Sequence, residues 1–367
     1  MLPQLKGGAS TPLLYRPDSD SAFDRLSTWW NGGSIGRPAL QILVPRAVPA
    51  EPVKAIPAPR GWTTNYSTRD YGYRVNLAAR ACGPWEYHGE AIPNVSPDLG
   101  PNCLALYLGC TATDGEDTVW FHPCIQSPES AAFTVGAGNF YWDFTVRLAR
   151  EQLRLGGGKF LTSFPDLIEG LDTLAAMRGT EELLYDLVER PGWVRDSLER
   201  ITESYFTCYD ALYELIRDER GGSHFWAWAP GRLAKLQCDF SAMISPAMFQ
   251  EFMVPVLKKM TERLDYSIYH WDGPGAIPHL DYLLALPRID MIQWTPGAGA
   301  VPVWDRRWWP LYHRITEAGK KVLLVEFDPA RLSEFKAEFG QRVTQFMFSL
   351  VCRTGEEARE LLRSAET

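Results

Sequence analysis

The residues that can do chemistry in this chain lie where apolar segments end. Asp166 follows KFLTSFP, Asp239 follows KLQC, and the run His270-Trp271-Asp272 closes DYSIYHWD. Gln293-Trp294 closes IDMIQW, Glu326 follows KKVLLV, and Cys352 follows VTQFMFSLV. His270 and Asp272 are two residues apart, so on a strand both side chains point to one face. Imidazole, carboxylate and thiolate brought together are donor types that zinc accepts, and three of them leave one position open for substrate or water. Asp239 and Glu326 are the candidates for a catalytic base or a fourth ligand. The same residues also have plainer readings. His270 can donate to Asp272, Asp239 can cap a turn, Glu326 can satisfy a loop, and Cys352 can serve as a small buried hydrophobe.

The elements that must position these groups alternate in the C-terminal third. Strand-like DYSIYHWD, IDMIQWT, KKVLLVEF and VTQFMFSLVC are separated by helical IPHLDYLLAL, WWPLYHRITEAG and DPARLSEFKAEFG, and TGEEARELLRSA follows. This rhythm predicts βαβ units and a parallel sheet with right-handed crossovers. Further strands are expected at 38–46, 159–164, 224–230 and 235–243. Pro191 predicts the start of a long helix, and Ser245-Pro246 another. The count approaches eight, and no Gly-rich phosphate turn follows an early strand, so the fold expected is an α/β (β/α)8 TIM barrel. Residues 1–37 read as an N-terminal extension. Residues 38–367 read as the barrel, with an irregular aromatic-rich insertion at about 47–150. In a barrel the polar strand ends gather at one rim, where catalysis takes place.

Composition narrows the partners. The 367 residues carry 37 Lys and Arg against 45 Asp and Glu, a net charge of −8 that argues against nucleic acid and against an anionic membrane surface. No apolar run approaches the ~18 residues of a membrane span, and the first residues do not read as a signal peptide. Seven cysteines are odd in number and sparse, which predicts reduced thiols in a cytoplasmic protein. Fourteen Trp residues exceed ordinary packing needs. Trp120, Tyr141, Trp142, Trp226, Trp271 and Trp294 therefore read either as packing of the insertion over the barrel or as walls of a pocket for a small planar or bulky substrate. Asn139, Gln293, Arg178 and Arg353 are candidate polar anchors there, and His122 is a further candidate ligand. The substrate-binding set expected is Trp120, Asn139, Tyr141, Trp226, Trp271 and Gln293.

HWDG at 270–273, PHLDYLLALPRIDMIQWTPGAG at 278–299, EAGKKVLL at 317–324 and VCRTGEEA at 351–358 together resemble the uroporphyrinogen decarboxylase superfamily. LDTLAAMRGTEELLYDLVERPGWV at 171–194 and QCDFSAMISPAMFQEFMVPVLKKM at 237–260 share that resemblance, which covers about 155–367. The decarboxylases of the superfamily carry an Arg-Gln-Ala-Gly-Arg stretch near the N-terminus that grips substrate carboxylates, and this chain has none. Its corrinoid-linked thiol methyltransferases bind zinc through a His-x-Cys on one strand and a Cys ending the last. The resemblance thus implies a metal site of His270, Asp272 in place of the first Cys, and Cys352. It also implies zinc as cofactor, a corrinoid as methyl carrier, and a corrinoid protein as partner. The activity implied is metal-dependent methyl transfer between a corrinoid or methylated small molecule and a thiol or corrinoid acceptor. A decarboxylase of an aromatic or pyrrolic acid and a catalytically silent binding barrel are the alternatives.

Overall fold

The structure is a computed structural model that describes residues 12–59, 70–114 and 119–366. Thirteen strands appear among these residues. They are β1 (Ala39–Pro45), β2 (Trp85–Gly89), β3 (Asn94–Val95), β4 (Thr111–Asp114), β5 (Val119–His122), β6 (Leu161–Thr162), β7 (Ser223–Phe225), β8 (Ala227–Ala229), β9 (Leu233–Gln237), β10 (Tyr266–Asp272), β11 (Met291–Thr295), β12 (Lys321–Leu324) and β13 (Phe346–Val351). The main sheet runs β2-β1-β13-β12-β11-β10-β9. Every pair in it is parallel except β2 on β1. The first long strand thus lies beside the last, with Ala39 opposite Met347 and Leu43 opposite Val351.

β3 and β6 form a separate parallel pair, two residues each, and β7 and β8 form a short antiparallel hairpin. Eight parallel strands are therefore present, but the hydrogen-bonded ladder among the described residues does not close round all eight, as the sequence led one to expect. It runs through six and then breaks, because antiparallel β2 occupies the free edge of β1, where a closed barrel would put β3. The β7–β8 hairpin follows β6 and bridges to it through Phe164 N–H donating to the His224 carbonyl at 3.0 Å.

Alternation along each parallel strand divides its side chains between two environments. One face carries Leu40, Ile42, Tyr269, Trp271, Ile292, Trp294, Phe346 and Phe348, all buried in the large core against the helices. The other face is graded. Near the strand starts it is apolar, with Ala39, Leu233, Ile268, Met291, Leu323 and Met347 in one cluster. Toward the strand ends it turns polar, with Gln41, Lys235, Gln237, His270, Asp272, Gln293 and Ser349.

The apolar end is closed by the helix Ser19–Trp30, which buries Phe23, Leu26, Trp29 and Trp30 in the same cluster. Trp29 Nε1 donates to the Thr344 carbonyl at 2.7 Å and Trp30 Nε1 to the Trp228 carbonyl at 2.8 Å. Within the span read as an N-terminal extension, one face of this helix therefore packs into the core. The stretch expected to be irregular contains a 17-residue helix, Phe140–Gly156, and a helix over Tyr71–Ala81. The helix starts at Pro191 and Ser245 fall where the sequence placed them, the latter with Ser245 Oγ accepting from Met248 N at 3.2 Å. All seven cysteines are free thiols. No helix among the described residues is long and apolar enough to cross a membrane.

Truncating Trp30 removes both buried ring surface and a hydrogen bond. Trp30→Ala should lower the free energy of unfolding by about 3–5 kcal/mol, read as a reduced midpoint in equilibrium urea denaturation.

Candidate functional site

Asp239, His270 and Asp272 converge at the polar ends of β9 and β10. One donor atom from each lies within 4.8 Å of the others. The pleat accounts for the pair on β10, since positions 270 and 272 share the inner face. Asp239 arrives from the turn that follows β9, held by Asp172. The Asp172 carboxylate accepts from the backbone N–H of Asp239 at 2.9 Å and of Phe240 at 2.8 Å. Gln237 Nε2 bridges the two acids, donating to Asp172 and to Asp239 at 2.9 Å each.

The tautomer of His270 follows from its neighbour. Gln293 Nε2 donates to the Trp294 carbonyl at 3.0 Å and to Thr295 Oγ1 at 2.8 Å, which fixes its amide orientation. Gln293 Oε1 therefore accepts from His270 Nδ1–H, and Nε2 keeps a free lone pair. Burial, then the nearby ammonium of Lys235, lowers the pKa of His270, so the imidazole is neutral. Asp272 Oδ1 is buried and has no hydrogen-bond partner. Such an orphan carboxylate oxygen is costly unless a cation meets it.

Acids crowd this end. Asp239 is exposed at the rim, where the surrounding protein still takes away part of its water. That loss of water and then the charge of Asp172 push its pKa up to about 7. Glu169, fully buried, is pushed up to about 8 by burial, although its Oε1 accepts from Gln237 N at 2.9 Å. Asp98 is raised to about 6 by burial and by Asp166. The balancing charge is Lys235, which meets Asp166 at 2.5 Å and donates to Gln237 Oε1.

A cavity of about 800 Å³ opens beside this cluster, with Gln41, Asn94, Asp98, His224, Glu326 and Ser349 among its polar walls. Trp226 joins the two regions. It lines the cavity, and its ring stands edge-on to His270 at 5.4 Å between centroids. Trp226 and Glu326 both hold positive φ, +56° and +55°, a strained state for residues other than glycine that concentrates at functional sites. Gln41 Nε2 holds the strained turn by donating to the Trp226 carbonyl at 2.9 Å.

The expected residues separate into those brought here and those placed elsewhere. His270, Asp272, Asp239, Gln293, Trp226 and Glu326 are at the polar end. Cys352 is not with them. Its thiol is buried in the main core, and its backbone N–H donates to the Leu43 carbonyl at 3.0 Å. Trp271 is 1% exposed, on the helix-facing side, with Nε1 donating to the Ala276 carbonyl at 2.9 Å. Alternation puts it opposite to His270 and Asp272, so it cannot wall the cavity.

Asn139 caps the helix Phe140–Gly156, accepting from Trp142 N at 2.9 Å. Tyr141 Oη accepts from Ala112 N at 3.3 Å, and Trp120 is 66% exposed on β5. None of these three lines the cavity. His122 bonds Thr113, and Arg178 pairs with Asp186. Lys235, Gln237, Asp172, Glu169, Asp98 and His224 went unread in the sequence, although the two-residue spacing of Lys235 and Gln237 on a strand already placed them on one face.

This arrangement sits on a shared scaffold. The fold is also that of a methyltransferase. A solved methyltransferase from Methanosarcina mazei superposes with a TM-score of 0.58 at 13% sequence identity, covering 94% of this chain and 98% of that one. At this identity the likeness is one of fold. No protein-family profile matches the chain, and no curated protein matches it in sequence.

Two outcomes are expected of variants here. Cys352→Ala removes a small buried group away from the triad, so it should cost only ~1 kcal/mol in thermal unfolding and leave metal uptake unchanged. For Asp239 the folded pKa is raised, so the folded state holds a proton that the unfolded chain releases near 3.8, and stability falls as pH rises from about 4 to about 7. Asp239→Asn should therefore gain stability relative to the parent across that window and level off above it, as followed by denaturation at stepped pH.

Proposed function

We propose that this chain is a metal-dependent methyltransferase-like enzyme, moving a methyl group between a corrinoid or methylated small molecule and a thiol or corrinoid acceptor. The observation that carries the reading is the convergence of three donors with an orphaned buried oxygen, Asp272 Oδ1, beside a cavity on a methyltransferase scaffold. The residues present fit a divalent ion. One imidazole nitrogen and two carboxylate oxygens are zinc ligands, and bonds of ~2.0–2.2 Å would draw the three slightly inward. The set is harder than the His–Asp–Cys site expected from the sequence, because Asp239 stands where Cys352 was placed.

In this reading Asp239, His270 and Asp272 hold the ion. Gln293 fixes the His270 tautomer so that Nε2 keeps its lone pair for the ion, and Gln237 with Asp172 fixes the Asp239 carboxylate. Orienting contacts of this kind commonly weigh as much as the ligands' own identity. When bound, a divalent ion supplies Lewis acidity that lowers the pKa of a thiol or water. Lys235 and Asp166 set the local charge, and Trp226 keeps the imidazole side of the cavity apolar. The corrinoid would reach the open end on a partner protein.

One observation favours a second reading. Asp239, with its pKa near 7 beside the Lys235 ammonium, can hold a proton at neutral pH and give it to a carbanion, as decarboxylation of an aromatic acid would require.

Metal content separates the two. Zinc titration of purified protein followed by elemental analysis should give one ion per chain. Asp272→Asn and His270→Ala should each weaken that uptake at least tenfold. The zinc-loaded protein should then methylate a thiol from methylcobalamin. Absence of stoichiometric metal would overturn the methyltransferase reading.

A further inference from the structure

The cavity beside the triad has a character that metal binding does not explain. Six aromatic residues line it, Trp85, Tyr87, Phe164, Phe225, Trp226 and Phe327. Two carboxylate residues, Asp98 and Glu326, also line it, and no Lys or Arg does so among the described residues. The nearby ammonium of Lys235 is taken up by Asp166 at 2.5 Å. That ammonium also lies 5.5 Å from the Phe225 ring and 5.9 Å from the Trp226 ring, but an anion inside the cavity would still meet the carboxylates of Asp98 and Glu326. A cation would meet those carboxylates and the rings of Trp85, Tyr87, Phe164 and Phe327, and an alkylated ammonium, with no N–H bonds to lose, is the cation such walls accommodate best.

A second feature specifies the rest of the ligand. His224 lines the cavity and is 5% exposed. Asn94 fixes its tautomer. Asn94 Oδ1 accepts from Ser163 Oγ at 3.3 Å, and Nδ2 donates to the Ile92 carbonyl at 2.9 Å and to His224 Nε2 at 3.2 Å. The ring proton is therefore on Nδ1, which is buried without a partner. Burial drives the pKa of His224 down to about 3, so the ring stays a neutral N–H donor. A buried donor with nothing to meet points to an acceptor brought by a ligand.

We propose that this cavity binds a small methylated ammonium compound that carries an oxygen acceptor, the cation among the aromatic rings with Asp98 and Glu326, and the oxygen on His224 Nδ1. The binding stands on the cavity alone. That the compound is the methyl donor rests on the methyltransferase reading. In that step the N–CH₃ bond breaks with its electron pair staying on nitrogen, which leaves as a neutral tertiary amine. The thiolate acceptor supplies the pair for the new S–CH₃ bond.

Calorimetric titration of the metal-free full chain with three probes tests the binding. They are choline, its neutral isostere 3,3-dimethylbutan-1-ol, and the anion 3,3-dimethylbutyrate. Choline should bind at least about tenfold tighter than the neutral isostere, with the anion weakest. Glu326→Gln should reduce the preference for choline while leaving the isostere's affinity unchanged, a result that loss of folding cannot mimic. His224→Phe should erase the advantage of choline over ethyltrimethylammonium, which lacks the oxygen.

Equal binding of choline and the isostere, tighter binding of the anion, or no binding of any probe would overturn the proposal. Choline binding without methyl transfer to a thiol in the zinc-loaded protein would sustain the site and remove its role as donor site. Methyl transfer from a neutral methoxy compound, with no cation preference, would keep the methyltransferase reading and overturn this one.

Discussion

The Nζ of Lys235 meets the Asp166 carboxylate at 2.5 Å in a place where the lysine side chain is 2% exposed, and the polar end of the sheet is organised around that contact. Parallel strands aim their terminal inner side chains at one shared volume. Here that volume and its margins receive Asp98, Asp166, Glu169, Asp172, Asp239 and Asp272, and loss of water, then mutual repulsion, raises the pKa values of Asp98, Glu169 and Asp239. One buried ammonium does not neutralise six carboxyl groups. Charge is instead shared out. Some acids stay protonated near neutral pH, Asp172 is stabilised by two backbone N–H groups, and Asp272 keeps an unmet oxygen. A buried ion pair of this kind is weak evidence for stability. At the same end of the sheet Asp239, His270 and Asp272 bring three donor atoms within 4.8 Å of one another.

What the sequence disclosed and what it hid follow from the same alternation. YSIYHWD on one strand puts His270 and Asp272 on a common face, and the structure shows them there. The same count places Trp271 on the opposite face, where it is buried against the helices. Applied to the last strand, the count runs through the inner positions 347, 349 and 351, so Cys352 falls on the wrong parity to join them. Judging Cys352 by chain order, as the end of a strand, obscured this. Lys235 and Gln237 share the parity of the inner face but sit inside an apolar run, where only the terminal Asp239 stood out. Asp98 and Glu169 come from loops and His224 from the short β7–β8 hairpin, and their proximity depends on tertiary packing that no local spacing reports. The aromatic residues Trp120 and Tyr141, with the cap Asn139, serve a hairpin and the start of a helix.

The two strained residues share a location. Trp226 and Glu326 both adopt positive φ beside the same cavity, one just before β8 and the other just after β12. A turn that costs conformational energy persists only where its surroundings hold it. For Trp226 that hold is the Gln41 side chain, itself bonded to Ser349, so β1 and β13 reach across to set the ring that touches His270. Cavity and triad are thus mechanically one unit.

The pairing of the first long strand with the last bears on how the chain is made. β1 meets β13, and Trp29 bonds Thr344 across 315 residues of sequence. Contacts of such separation form late, since most of the chain must exist before either partner has anything to bind. On a ribosome the Trp29–Trp30 helix and the edge of β1 precede β13 by that same long separation and wait for it, apolar and unpaired. Exposed strand edges and buried-type aromatics are the features that nascent chains aggregate through. Biogenesis is therefore a stage at which this architecture is vulnerable, and its yield in a cell depends on how well that helix and β1 are shielded until β13 arrives.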